Sequence, residues 1–446
     1  MKTEHTIYDI VNNQLCTGCG ICVSESDSKM VWNNQGFLVP DTSMKFTPDA
    51  IKLCPFNPDG DINNEDSLSQ EFLKDTHKAD LEIGNFVNLY AGYSPEYRET
   101  SSSGGIATYV FEYLLKNKIV DYLFIVKEID GKYTYQLFTD SNQIKTISKT
   151  RYIPVTMADL FTKIDQIQGK IAISGVACFI KAIRLKQKHQ PLLKEKIPFL
   201  IGIICGGLKS KFFTDYLSQK SGIQGAYSNQ EYRIKDKNST ASDYSFGALD
   251  EATQFHQMKM RTVGDMWGTG LFKSNACDFC DDVATELADI SLGDAWIRPY
   301  NQEGLGNSVI VTRSALADKI ISNGILNQEL NCKEISLTLF KTSQAGSFRH
   351  RQLGMKYRVH KFKTKSGIRL EKRKKFYQNI PFEYKAVQKS RMKIREESLK
   401  IWEKEKNAEL FENKILPLKK SLRDKTIFYH RVQKLKRILK IKSIQS

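Results

Sequence analysis

No run of 18 or more apolar residues occurs in this 446-residue chain, so no segment is expected to cross a membrane as a helix. The opening string, MKTEHTIYDIVNNQ, is polar and lacks the apolar core of a signal peptide. Neither G-x-G-x-x-G nor the phosphate-loop string is present, which leaves a Rossmann NAD site or an NTPase without support. None of the seven histidines stands in a metal or triad spacing, and no internal repeat or low-complexity block is seen. The expected location is the cytoplasm, where thiols stay reduced and available as metal ligands.

What is present is ordinary in bulk and uneven in detail. Apolar residues make up 41% and charged residues 26%, as in a soluble globular protein, and the length allows two or three domains. The net charge of +17 is concentrated at one end. Residues 351–446 carry 30 Lys and Arg against 9 Asp and Glu, leaving the first 350 residues with 37 basic and 41 acidic.

Residues 1–60 are turn-rich and hold four cysteines. Residues 61–85 begin polar and acidic and read as a linker. Short apolar runs at 122–126, 170–174, 197–204, 288–292 and 308–312 read as buried strands, with helices at 106–117 and 179–187 between them. Strand signals stop near 350. Residues 383–413 read as one long charged helix broken by Pro417, and 424–443 as a last helix. The fold class is α/β (α+β): a cysteine-bearing segment, a mixed α/β body, and a basic helical tail over 346–446.

Nine cysteines dominate the chemistry. Cys16, Cys19 and Cys22 stand as C-x2-C-x2-C in CTGCGIC, whereas zinc sites usually carry separated C-x2-C pairs and a radical-SAM enzyme would want C-x3-C-x2-C. This spacing suits three corners of a 4Fe-4S cubane, with Gly18 and Gly20 letting the backbone wrap closely. Cys54, followed by Pro55, is the expected fourth ligand, although 31 residues separate it from Cys22 where a compact ferredoxin motif has three. A second set is dispersed. Cys178 and Cys205 follow buried strands, and Cys277 and Cys280 form a C-x2-C pair. Strand ends in an α/β sheet converge on one edge, so these four could meet there. Cys178 and Cys205 alone also read as buried apolar residues. Cys332 reads as a plain thiol.

Taken together, CTGCGIC, SSSGGIAT (Ser101–Thr108), SGVACFIKAI (Ser174–Ile183), IGIICGG, ACDFC and ADISLGDAW (Ala288–Trp296) resemble a known family. It is the beta subunits of coenzyme F420 hydrogenases and dehydrogenases. The resemblance covers roughly residues 10–60 and 88–315. It implies the family's N-terminal domain at 86–165 and its C-terminal domain at 166–345. It further implies an outer 4Fe-4S cluster on Cys16, Cys19, Cys22 and Cys54, an inner one on Cys178, Cys205, Cys277 and Cys280, and FAD beside the inner cluster. Val176 and Ala177 replace the usual Thr-Pro before Cys178, and Phe179 the usual Gln, so the substrate surface is expected to differ. Members with such extensions resemble proteins encoded among bacterial surface-polysaccharide genes, which suggests a role in polysaccharide biosynthesis.

The residues themselves add a weaker signal for the flavin. Ser102, Ser103, Gly104 and Gly105 precede a helix that contains Thr108, and a helix start of this kind favours a phosphate. The same string also reads as a Ser-rich N-cap. Gly293 permits close approach by a ring and Asp294 can accept a hydrogen bond, or the two form an ordinary strand-to-loop turn. In the tail, Phe428, Val432, Leu435 and Leu439 fall on one helical face ringed by Arg and Lys. That pattern suits peripheral contact with an anionic membrane, or packing; no nucleic-acid platform is seen. The expected function is an oxidoreductase passing electrons from a ferredoxin-like donor, or a partner redox subunit, through two 4Fe-4S clusters to FAD and on to a substrate. The alternatives are a non-catalytic electron-transfer subunit and an interaction protein whose clusters only hold the fold.

Overall fold

The computed structural model describes residues 5–60, 62–129 and 132–445, with side-chain environments to residue 439. An eight-stranded sheet organises it. In chain order the strands are β1 (Asn88–Tyr93), β2 (Tyr122–Ile129), β3 (Lys132–Phe138), β4 (Ile171–Val176), β5 (Phe199–Ile203), β6 (Ile290–Asp294), β7 (Ser308–Thr312) and β8 (Asn331–Glu334). Across the sheet they run β8-β1-β7-β6-β5-β4-β2-β3. β2, β4, β5 and β6 are mutually parallel, and antiparallel strands flank them on both sides.

The parallel strands are apolar throughout because both faces are covered. Alternation decides which residue meets which layer. Phe199 and Ile201 of β5 pack with helix α1 (Ile106–Lys116) through Ile106, Val110 and Leu114, while Leu200 packs with helix α2 (Ala177–His189) through Ile180 and Ile183. The crossover from β4 through α2 to β5 joins two adjacent parallel strands. It delivers the carboxyl ends of β4, β5 and β6 to one edge.

Residues 62–85 fold instead of linking. They form a helix (Glu65–Phe72) and a small hairpin (Lys78–Asp80 with Gly84–Phe86). The acidic start answers buried cations: Glu65 pairs with Lys181 of α2 at 2.6 Å, and Arg373 binds Asp66 and Glu286.

The change in charge near 350 does not coincide with a break in packing. Met355, Val359 and Phe362 of α3 (Met355–Ser366) share a core with Ile10, Leu15, Phe56 and Phe279. Further on, Trp402 and Phe411 pack with Tyr216 and Phe272, beside a three-stranded sheet of Ser228–Ile234, Ser245–Leu249 and Phe255–Lys259. The single helix expected over 383–413 is two. α4 (Phe382–Glu405) stops at Lys406, whose left-handed φ of 47° ends it, and Asn407 accepts the Leu410 N–H at 3.0 Å as α5 (Ala408–Gln445) begins. Pro417 does not break a helix but lies inside α5. Pro417 and Asn413, whose carbonyl it leaves unpaired, are both exposed, so water can satisfy that group. Among the described residues no helix is long and apolar enough to cross a membrane.

Candidate iron–sulfur and cofactor site

Cys16, Cys19 and Cys22 lie on a tight loop entering the short helical turn Ile21–Glu25. The loop closes because Gly18 and Gly20 take left-handed φ of 78° and 81°, which places the Gly18 N–H 3.4 Å from the Cys16 Sγ as donor. The long gap to Cys54 is a hairpin, Met30–Trp32 with Leu38–Pro40, and a helical turn, Pro48–Leu53, that returns Cys54 to the first three. All four line one small pocket, and the Cys22 thiol is pushed up by burial and then by Cys19, Cys16 and Cys54 in turn.

The dispersed four converge as well. Cys178 is the second residue of α2, just beyond β4, and Cys205 lies just beyond β5. Cys277 and Cys280 sit in and after the turn Asn275–Phe279. Backbone N–H groups already point at the sulfurs: Gly207 donates to Cys205 Sγ at 3.2 Å and Leu208 to Cys277 Sγ at 3.1 Å. Burial raises the Cys178 thiol, and Cys280, Cys277, Cys205 and Cys19 raise it further. Cys178 thus feels both groups of thiols. Cys332 stands apart, buried on the edge strand β8.

These donors fit iron–sulfur clusters. All nine cysteines are free, and burial pushes the eight clustered thiols upward, Cys16 to about 12. A metal cation among such thiols would favour their ionised, ligating form. Among the described residues no three His, Cys, Asp or Glu side chains converge on a point one ion could take. A cubane asks for something else, one thiolate at each of four corners.

The inner four open into a cavity of about 580 Å³, of the size that holds organic cofactors. Its charged lining is Lys149, Arg151, Lys209, Arg233 and Arg351 against Asp294. Arg151 Nε and Arg233 Nε are buried there without a hydrogen-bond partner. An unpaired buried donor costs about 1–3 kcal/mol, so the cavity suits a ligand with phosphate or other acceptor groups.

Of the residues expected at a flavin, Ser102, Ser103, Gly105, Thr108, Gly293 and Asp294 line this cavity, and Gly104 does not. Gly104 is glycine for packing, since a Cβ there would come within 2.6 Å of the Gly92 carbonyl. Gly293 likewise makes room for Ile204, 2.8 Å from where its Cβ would be. Asp294 faces the cavity already paired with Arg233. The serines do not cap α1, whose N-cap is Gly105 with no side-chain bond. Ser102 Oγ accepts the Thr150 N–H at 2.9 Å and Ser103 Oγ donates to the Asn307 carbonyl at 3.0 Å, so the amino end of α1 faces the cavity uncapped by a side chain.

Several lining residues carried no signal in the sequence. Tyr135 is one; its ring stacks between Phe124 and Phe179, and its hydroxyl donates to the Ser174 carbonyl at 2.8 Å. Its phenol is raised by burial and by both Cys178 and Cys19, which places it beside both thiol groups. Trp267 and Arg351 are others. Val176, Ala177 and Phe179 also face the cavity, at the positions where the family string is altered.

A mixed α/β sheet with four thiols gathered at the carboxyl edge of its parallel strands, and four more in a pocket of their own, suits an iron–sulfur oxidoreductase-type chain. Comparison makes the class specific. Two models of the family "Coenzyme F420 hydrogenase/dehydrogenase, beta subunit" match, the amino-terminal one over residues 89–162 and the carboxy-terminal one over residues 168–338. The two matches together span just over half of the chain, which belongs to this family. A chain from the xenon-derivatised F420-reducing NiFe hydrogenase complex of Methanosarcina barkeri is also similar. It is 19% identical, with 65% of this chain and 96% of that chain covered and a TM-score of 0.48. No curated protein matches.

Proposed function

We propose that this chain is an iron–sulfur flavoprotein oxidoreductase that takes electrons from a ferredoxin-like donor and delivers them to a substrate in the 580 Å³ cavity. The carrying observation is that Cys178, Cys205, Cys277 and Cys280 open into the cavity that the amino end of α1 also faces. Cys16, Cys19, Cys22 and Cys54 would hold one 4Fe-4S cluster, the inner four a second, and the cavity FAD. When bound, clusters would carry single electrons, and a flavin would exchange two of them for one hydride. The chain's own part is to bind, orient and exclude water. Ser102, Ser103, Gly105 and Thr108 border the space for a phosphate, Arg151 and Arg233 offer unpaired donors, and Phe179 and Trp267 wall the cavity with apolar rings.

Anaerobic purification with iron, sulfide and flavin analysis tests this. Protein without flavin would sink the flavoprotein reading, and zinc in place of iron would sink the cluster reading. The family description as a beta subunit favours a second reading, electron transfer on behalf of a partner enzyme. Turnover that starts only when a partner redox subunit is added would select it. A substrate in bacterial polysaccharide biosynthesis is supported by the family resemblance alone. Peripheral contact with an anionic membrane is supported by the exposed Phe428, Leu435 and Leu439 on the basic end of α5.

A further inference from the structure

Arg351 belongs to the segment that composition sets aside as a basic tail, yet it is only 5% exposed. It sits in a π-helical turn, Arg349–Leu353, a geometry that is rare and concentrates at functional sites. Its guanidinium spans the inner cysteines. Nη2 contacts Cys280 Sγ as donor, Nε donates to the Cys280 carbonyl at 3.1 Å, and Nη1 to the Cys205 carbonyl at 2.6 Å. The backbone is fixed behind it, because Arg358 Nη2 donates to the Arg351 carbonyl at 2.7 Å. The nearby Lys273 is committed to Asp278 at 2.6 Å, and Asp278 also takes Arg395 at 2.8 Å. Among the described residues, Arg351 is therefore the cation that donates to an inner thiol.

We propose that Arg351 is a positioning residue that sets the reduction potential of the inner cluster, raising it relative to a site without the guanidinium. The inference rests on the reading of Cys178, Cys205, Cys277 and Cys280 as cluster ligands. Adding an electron makes a thiolate-ligated cluster more negative. A buried cation and an N–H bond to sulfur both favour that reduced form, and burial keeps their effect from being screened by water. The fork geometry reaches Cys280 and Cys205 together, so it also fixes the distance between two ligands on separate loops.

The test is a redox titration of anaerobically purified full-length protein, followed by electron paramagnetic resonance. Wild type is compared with Arg351→Gln and Arg351→Lys, each also in a Cys16→Ala background to isolate the inner signal. Arg351→Gln should lower the inner midpoint so that the reduced-to-oxidised ratio at fixed potential falls at least tenfold, ~59 mV for one electron. Arg351→Lys, which keeps the charge, should fall between. The outer midpoint should stay put. An inner midpoint unchanged in Arg351→Gln overturns the proposal. So does loss of the inner signal in both variants with the outer one intact, which would make Arg351 a structural clamp only. Absence of any inner signal in the wild type would instead overturn the cluster reading on which the proposal rests.

Discussion

Replacing Trp402 by Ala should destabilise the whole chain, not just its basic end. Trp402 is 2% exposed. Its ring lies edge-on to Tyr216, Phe272 and Phe411, with centroids 5.7, 5.7 and 5.6 Å away. Truncating a buried Trp costs about 3–5 kcal/mol, and three aromatic partners, at ~0.5–1.5 kcal/mol each beyond area, argue for the upper end. With a urea slope of ~3 kcal/mol per M, the midpoint should fall by on the order of 1 M. The assay is urea unfolding followed by far-ultraviolet circular dichroism. Phe428→Ala, at a site 56% exposed on the neighbouring helix, is the control and should change stability by less than about 0.5 kcal/mol. The refuting result is a Trp402→Ala main transition left in place with only a small early one split off. That result would make residues after 380 a separately folding appendage.

The remaining expectations concern metal, flavin and surface. Anaerobic protein should carry about eight irons, two cubanes of four on eight cysteines; Cys16→Ser should remove about half of the iron and spare the flavin, and a wild-type value near four would delete one cluster. Cys277→Ser should lower iron and flavin together, because the inner thiols and the 580 Å³ cavity share a wall; full retention of both would show that Cys277 is not a ligand. If α5 contacts membranes, the protein should sediment with anionic vesicles at low salt and release at high salt. Leu435→Glu with Leu439→Glu, at sites 59% and 65% exposed, should abolish that sedimentation without loss of folding; equal sedimentation of wild type and variant would eliminate the contact.

How legible each part was in the sequence follows from the range of the interactions behind it. β7 was readable residue for residue, since the β-branched string Ser-Val-Ile-Val-Thr suits a strand buried on both faces. The strand ends allowed Cys178 and Cys205 to meet, because parallel strands share a carboxyl edge, but left them equally readable as buried apolar residues. How deeply the basic segment packs into the body was hidden for a physical reason. Average charge conceals which charges are paired, and Arg351, Arg358, Arg373 and Arg395 are all buried against partners remote in sequence, such as Cys280, Asp278 and Glu286. A usable signal existed in Tyr384, Val387, Ile394 and Trp402, an apolar stripe among the lysines of α4. Gly104 was misassigned because a glycine needed to clear the Gly92 carbonyl looks, in sequence, like one needed to clear a ligand.

The clasp on the Cys277–Cys280 loop also has an order in time. A chain leaves the ribosome amino end first, so every proposed ligand emerges before Arg351, which follows Cys280 by 71 residues, and before Arg395, which follows Asp278 by 117. During that interval the loop lacks both the guanidinium that later donates to Cys280 and the one that later binds Asp278. The segment that clasps the Cys277–Cys280 turn is therefore made only after the turn it holds.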